Sequence, residues 1–329
     1  MPEDQTPLEA VEAATGETAE EPLPLAEALR PRKFKRTALQ PKLQKGLAKR
    51  FEEETFKFLQ RRFETLAIDF DDISKTNFNP FLLLITAPVY NIFSPFEVAE
   101  RLQFAKAFHG DDTAFGRMAE EKFLNILGAT SPPEKKSTNP DERRLWSPID
   151  LHAMIEGKRY LMSIKAGPWT MNQSHAAEMI GNFRQLREAT GANIIIGITY
   201  GRYRNLNNKP SLAARGLDNP DWYDYLVGKD FWEFVSGVEG VHKEIFAAIR
   251  EAQRRFAKEH SDETFSERLV GNRLKIATSL RKKFSIQADD DFWGTLFNSM
   301  FESDAGLPGR PDEVPALVVG PAEIVSENS

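Results

Sequence analysis

Two rhythms of apolar positions run along this chain. From Arg50 to Ile68, Phe51, Phe58 or Leu59, Phe63 and Leu66 recur at helical spacing and predict an amphipathic helix. Asp69 to Pro80 reads as a connecting loop, and the apolar run Phe81 to Phe93, interrupted by Pro88, predicts a buried, extended segment. Ser94-Pro95 then opens a helix, with Ser as N-cap and Pro in the first turn, reaching about His109. Gly110-Asp111-Asp112-Thr113 predicts a break before a further helix, Ala114 to Leu127, closed by Gly128.

The rhythm changes after an unpatterned, polar stretch from Thr130 to Trp146. Two short apolar runs flank Glu156-Gly157-Lys158 and predict a β-hairpin. With the turn centred between residues 156 and 157, Asp150 lies opposite Ser163, and Lys165 shares their face. An acid beside an amine at the end of a hairpin suits a metal-dependent phosphodiesterase. A helix follows, with Asn172 or Ser174 as N-cap, to Thr190 with Gly191 beyond it. Ala192 to Tyr200 is a β-branched run bounded by glycines, a strand buried on both faces. Helix, hairpin, helix and strand together predict an α/β core in which helices flank a mixed sheet. Tyr200 to Lys209 reads as a loop of interleaved bases and aromatics, and the aromatic cluster of residues 222–234 as core or dimer interface. Two long helices are expected between Val241 and Phe284.

Composition narrows the classes. Of 329 residues, 41% are hydrophobic and 28% charged, as in an ordinary globular protein. The absence of cysteine excludes thiolate zinc sites and a Cys nucleophile, and suits the cytoplasm. The N-terminus lacks the basic region of a signal peptide, and Phe81 to Val89 is too short to span a membrane. The net charge of −6 conceals an asymmetry: residues 1–21 carry −7 and residues 302–329 carry −5, so residues 22–301 carry +6. From Arg30 to Arg50 there are nine cations and no acid, among them Lys33, Lys35 and Arg36, as expected of an arm contacting DNA phosphates. A solvated face paired with Glu52 to Glu54 is the alternative.

Pro148-Ile149-Asp150 followed by Ser163-Ile164-Lys165 resembles the PD-(D/E)XK motif of type II restriction endonucleases. Ser163 to Asn172 and Gly228-Lys229-Asp230-Phe231-Trp232-Glu233-Phe234 are similar to the PmeII-like enzymes in particular. The resemblance implies a restriction-endonuclease-like fold with additional helical N- and C-terminal parts. It implies a Mg²⁺-dependent enzyme, with Mn²⁺ as a substitute, that cleaves both strands of duplex DNA. It also implies a homodimer without a membrane, acting in the cytoplasm beside a DNA methyltransferase. A repair or recombination nuclease of the same fold and a catalytically decayed DNA-binding protein are the other readings.

In that family's arrangement Asp150 would ligate the metal and Lys165 would position or deprotonate the attacking water. Ser163 stands where the family has Asp or Glu. A subgroup with Ser-x-Lys moves the acid to the following helix, which points to Glu178 as catalytic residue and second metal ligand; Glu120 and Glu121 are further candidates. Thr170, Asn172, Arg202, Arg204 and Lys209 are expected at DNA, Arg being suited to guanine edges. His152 reads as an ordinary hydrogen-bonded histidine. The expected organisation is an acidic tail (1–29), a basic helical region (30–95), the nuclease domain with its C-terminal helices (96–302) and a second acidic tail (303–329).

Overall fold

The computed structural model describes residues 32–67, 80–92, 94–260, 265–283, 285–287 and 292–300. Both acidic tails and the loop expected between residues 69 and 79 lie outside the described residues. Helix α1 (Lys45–Ala67) leads to α2 (Pro80–Thr86) and α3 (Pro95–Met118). A π-helical turn (Ala119–Phe123), a last turn α4 (Leu124–Ile126), and α5 (Pro140–Trp146) precede the hairpin β1 (Leu151–Ile155) and β2 (Lys158–Lys165). Then come α6 (Gln173–Thr190), β3 (Asn193–Ile198), α7 (Lys209–Gly216), β4 (Tyr223–Val227) and α8 (Lys229–Ser236). Three helices close the described chain: α9 (Val241–Glu259), α10 (Phe265–Lys283) and α11 (Phe292–Met300).

The four strands form one sheet in the order β1-β2-β3-β4, antiparallel between β1 and β2 and parallel thereafter. The hairpin turns on Glu156 and Gly157, both at positive φ (49° and 75°), as a two-residue turn of the primed type requires. Leu151 therefore pairs with Met162, the register expected from the turn centre. One sheet face packs Leu151, Ala153, Tyr160, Met162 and Ile164 against the helices around α1 and α9. The other packs Leu161, Ile194, Ile196 and Tyr225 under α6, through Phe183 and Leu186. β3 is buried on both faces as predicted, and Gly197 in it makes room for a ring. A Cβ there would lie 2.2 Å from the Phe231 ring. Gly197→Ala should cost about 3 kcal/mol, read as a lowered urea midpoint at unchanged m-value. The aromatics Tyr223, Tyr225, Phe231, Trp232 and Phe234 are buried core.

The helices differ from expectation in several places, one being α5, which forms within the stretch from Thr130 to Trp146 that reads as a surface loop. The Gly110–Thr113 break is absent: α3 runs on to Met118. A Gly and two Asp residues cost helix propensity of only about 1 kcal/mol each, less than α3 gains by packing on α10 and by the Arg62–Asp111 ion pair. The segment expected to be buried and extended between Phe81 and Phe93 begins instead as helix α2, with Pro80 at its first position. Among the described residues there, only Leu83, Ala87 and Ile92 are buried, whereas Phe81, Leu82, Ile85 and Val89 are exposed. Ser94 caps α3 as expected, accepting from the Phe96 amide. No helix among the described residues is long and apolar enough to cross a membrane.

Candidate active site

The end of the hairpin opposite its turn gathers the charged groups. Asp150 directly precedes β1, and its amide donates to the Met162 carbonyl (2.8 Å), one residue short of the ladder register. That slip lets the carboxylate reach across to β2, where Oδ2 accepts the Ile164 amide (2.7 Å). Lys165 ends β2 beside it. Its main chain is fastened to β3: the Thr199 amide donates to the Lys165 carbonyl (3.0 Å) and the Thr199 hydroxyl to the Ala166 carbonyl (2.7 Å). Trp232 Nε1 in turn donates to the Thr199 carbonyl (2.7 Å), so a buried indole holds the arrangement from behind. Ser163 between them is fully buried, and its hydroxyl has no hydrogen-bond partner among the described residues.

Glu120 approaches this group from the π-helical turn. Such turns insert one residue into a helix and recur at functional sites. Burial, and next the Asp150 carboxylate, push Glu120 up to about 7, against the opposing pull of Lys165 and then Lys135. One carboxylate that feels the other, with two lysines between them in sign, marks Glu120, Asp150, Lys165 and Lys135 as a single electrostatic cluster. Glu121, the next residue, is exposed and turns towards a neighbouring hollow lined by Arg61 and Arg117. Glu178 lies in the second turn of α6, where Oε1 accepts the Ser147 hydroxyl (2.9 Å).

The donors suit a hard cation. Asp150 and Glu120 offer carboxylate oxygens, and Mg²⁺ is held by one or two carboxylates, with water and phosphate completing its shell. No group of three or more His, Asp or Glu is poised to hold a metal among the described residues.

The other predicted residues separate into two groups. Arg202, just before the short turn Tyr203–Asn205, and Arg204 within it are exposed, and the turn follows the same end of the sheet as Lys165. Thr170 and Asn172 are also exposed; the Thr170 hydroxyl donates to the Gly167 carbonyl (2.9 Å), and the Asn172 carbonyl accepts the Ala176 amide at the start of α6. Exposed Trp169 and Tyr200 stand beside them.

Lys33, Arg36 and Lys209 lie elsewhere than expected. The Lys33 ammonium donates to the Asn219 and Pro220 carbonyls (2.9 and 2.7 Å), and Arg36 to the Phe234 and Val235 carbonyls (2.6 and 2.9 Å) at the end of α8. Arg36 and Thr37 also meet Glu156 at the hairpin turn, six residues and about 20 Å along the strand from Asp150. Arg36 satisfies carbonyls in the last turn of α8, whereas Lys33 ties down the loop after α7. Lys35 in the same arm remains exposed. Lys209 is the first residue of α7, not part of a loop, and is only 8% exposed. His152 is hydrogen-bonded to the Thr130 hydroxyl (3.1 Å).

Sequence reasoning missed Lys135, whose ammonium lies 3.7 Å from Asp150 Oδ1. It sits on a single 3₁₀ turn, Pro133–Lys136, inside the stretch that carries no periodic signal. Thr199 was missed as well; its signal is its place at the end of the buried strand, next to Lys165 in register.

A scan against protein families matches residues 45–259 to the family described as type II restriction endonuclease EcoO109I. The match covers about two thirds of the chain and contains Glu120, Asp150, Lys165 and Glu178. The search of curated proteins found no match.

Proposed function

Because the chain belongs to the EcoO109I family of type II restriction endonucleases, we propose that it hydrolyses duplex DNA at a short site with the aid of Mg²⁺, for which Mn²⁺ can substitute. The likeness to PmeII-like enzymes, a homodimer and a partner methyltransferase in the cytoplasm belong to the same reading. So does the division into acidic tails, basic N-terminal region and nuclease domain. The observation that supports it is Asp150, held by the Ile164 amide at the end of the hairpin where Lys165 closes β2, within electrostatic reach of Glu120 and inside the matched region.

In this reading Asp150 and Glu120 hold the cation. When bound, it supplies a Lewis acid for the phosphoryl oxygen and lowers the pKa of a water. Lys165 orients the attacking water and offsets the negative charge that builds on the phosphate. The Ile164 amide holds Asp150 in place through its Oδ2 oxygen, and Thr199 fixes the strand end from which Lys165 projects. Lys135, on Asp150's other oxygen, balances the site's charge before substrate arrives. Arg202, Arg204, Thr170, Asn172 and Lys35, all exposed, are DNA contacts in this reading. Glu178 is the alternative second acid, favoured by its bond to Ser147, three residues before Asp150.

Incubation with a sequenced plasmid and Mg²⁺ tests the reading. Discrete fragments with defined ends are expected. Random nicking would point to a repair nuclease, and no cutting with either Mg²⁺ or Mn²⁺ would point to a decayed DNA-binding protein.

A further inference from the structure

We propose that the trough between α1 and the end of α3 carries the DNA backbone next to the bond being cut. The inference rests on the endonuclease reading and adds a surface to it. A hollow of about 540 Å³ lies there, with Arg61 and Arg62 on one wall and Arg117, Glu121 and Lys122 on the other. A second hollow of about 550 Å³ shares Glu121 and Lys122 and continues along α1 past Lys57 to Arg50. The two form one track.

Its position follows from the π turn. Glu120 and Lys122 are two residues apart, so they project to nearly opposite sides of a helix. Glu120 feels Asp150 and Lys165, while Lys122 lines both hollows. One short segment therefore borders the catalytic cluster on one side and the track on the other.

The charges suit a polyanion. Around the two hollows together stand six cations and three acids, Glu53, Glu54 and Glu121, with the excess of cations at the first. Arg62 is held by Asp111, and Lys57 is paired with Glu54 (2.8 Å). Arg117 and Lys122 make no ion pair or hydrogen bond with any described residue. Arg50, Lys57 and Arg61 follow one another by seven and four residues, so they share a face of α1. From Arg50 to Arg61 the helix rises about 16 Å, the axial length of roughly five base pairs. A track of that length takes several successive phosphates. This surface takes the role that the sequence assigns to Lys33 and Arg36, whose charges are bound to backbone carbonyls.

The test measures DNA binding by the full chain without divalent metal, as a function of salt. Arg117→Ala with Lys122→Ala should lower the slope of log affinity against log salt by about 2, since each lost phosphate contact removes about 0.9. Arg117→Lys with Lys122→Arg should retain the slope, which separates lost charge from a disturbed fold. Arg250→Ala with Arg254→Ala, on exposed positions of α9, should leave it unchanged. An unmodified chain that binds and cuts DNA, beside an alanine pair with unaltered slope and cleavage, would overturn the track and leave the endonuclease reading intact. An unmodified chain that neither binds nor cuts DNA would overturn both.

Discussion

Replacing Lys165 by alanine should lower DNA cleavage about 10³-fold, within the range that a positioned acid–base and charge-stabilising group supplies. DNA affinity should stay within about threefold, because one phosphate contact among many is lost. The backbone at this position is held by Thr199 independently of the lysine side chain, so the truncation removes an ammonium and leaves the strand end in place. Single-turnover cleavage of a plasmid site, beside binding without metal, separates the two effects. Undiminished cleavage would remove Lys165 from the catalytic site.

Glu120→Gln should do two opposite things. If Glu120 holds the cation as proposed, cleavage should fall about 10²-fold or more, while the metal-free protein becomes more stable. The sign follows from Glu120 being pushed up from 4.5 to about 7 in the folded protein. Between those values the folded chain keeps a proton that the unfolded chain has lost, so stability falls as pH rises through that window. The native carboxylate therefore costs stability above pH 7. After discounting for solvent screening at a partly exposed group, the gain from glutamine at pH 8 is about 1–2 kcal/mol, vanishing below the unfolded value. Thermal unfolding at pH 4 and pH 8 reads this as a rise of a few degrees at pH 8 only. Glu178→Gln, which loses one bond to Ser147, should change cleavage only a few-fold. The reverse ranking of the two variants would make Glu178 the second acid.

What can be read from sequence divides along local and non-local lines. The hairpin register follows from one local fact, the Glu156-Gly157 turn, which is why the pairing on either side of it agrees with expectation. The caps of α3 and the buried β3 are equally local. The approach of Glu120 to Asp150 depends on where a distant helix packs and on one π turn within it, and no periodicity announces either. Charge along the chain likewise does not say what it meets: the basic run around Lys33 and Arg36 resembles a DNA arm, yet these two cations reach carbonyls far along the chain while Lys35 between them stays exposed. The exposed α2 shows the same limit for apolar runs, since nothing local tells an inward Leu83 from an outward Leu82.

That basic arm has a consequence for how the chain folds. Lys33, Arg36 and Leu43 bond to residues 186 to 201 positions away, among the longest loop closures in the molecule. Contacts of such separation form late, after the sheet and α8 have created the surface they join. During synthesis at about 5–20 residues per second, the arm waits some 10–40 seconds for its partners to emerge. Its charged, sparsely apolar composition suits that interval: it stays soluble and unattached, then closes over a finished sheet.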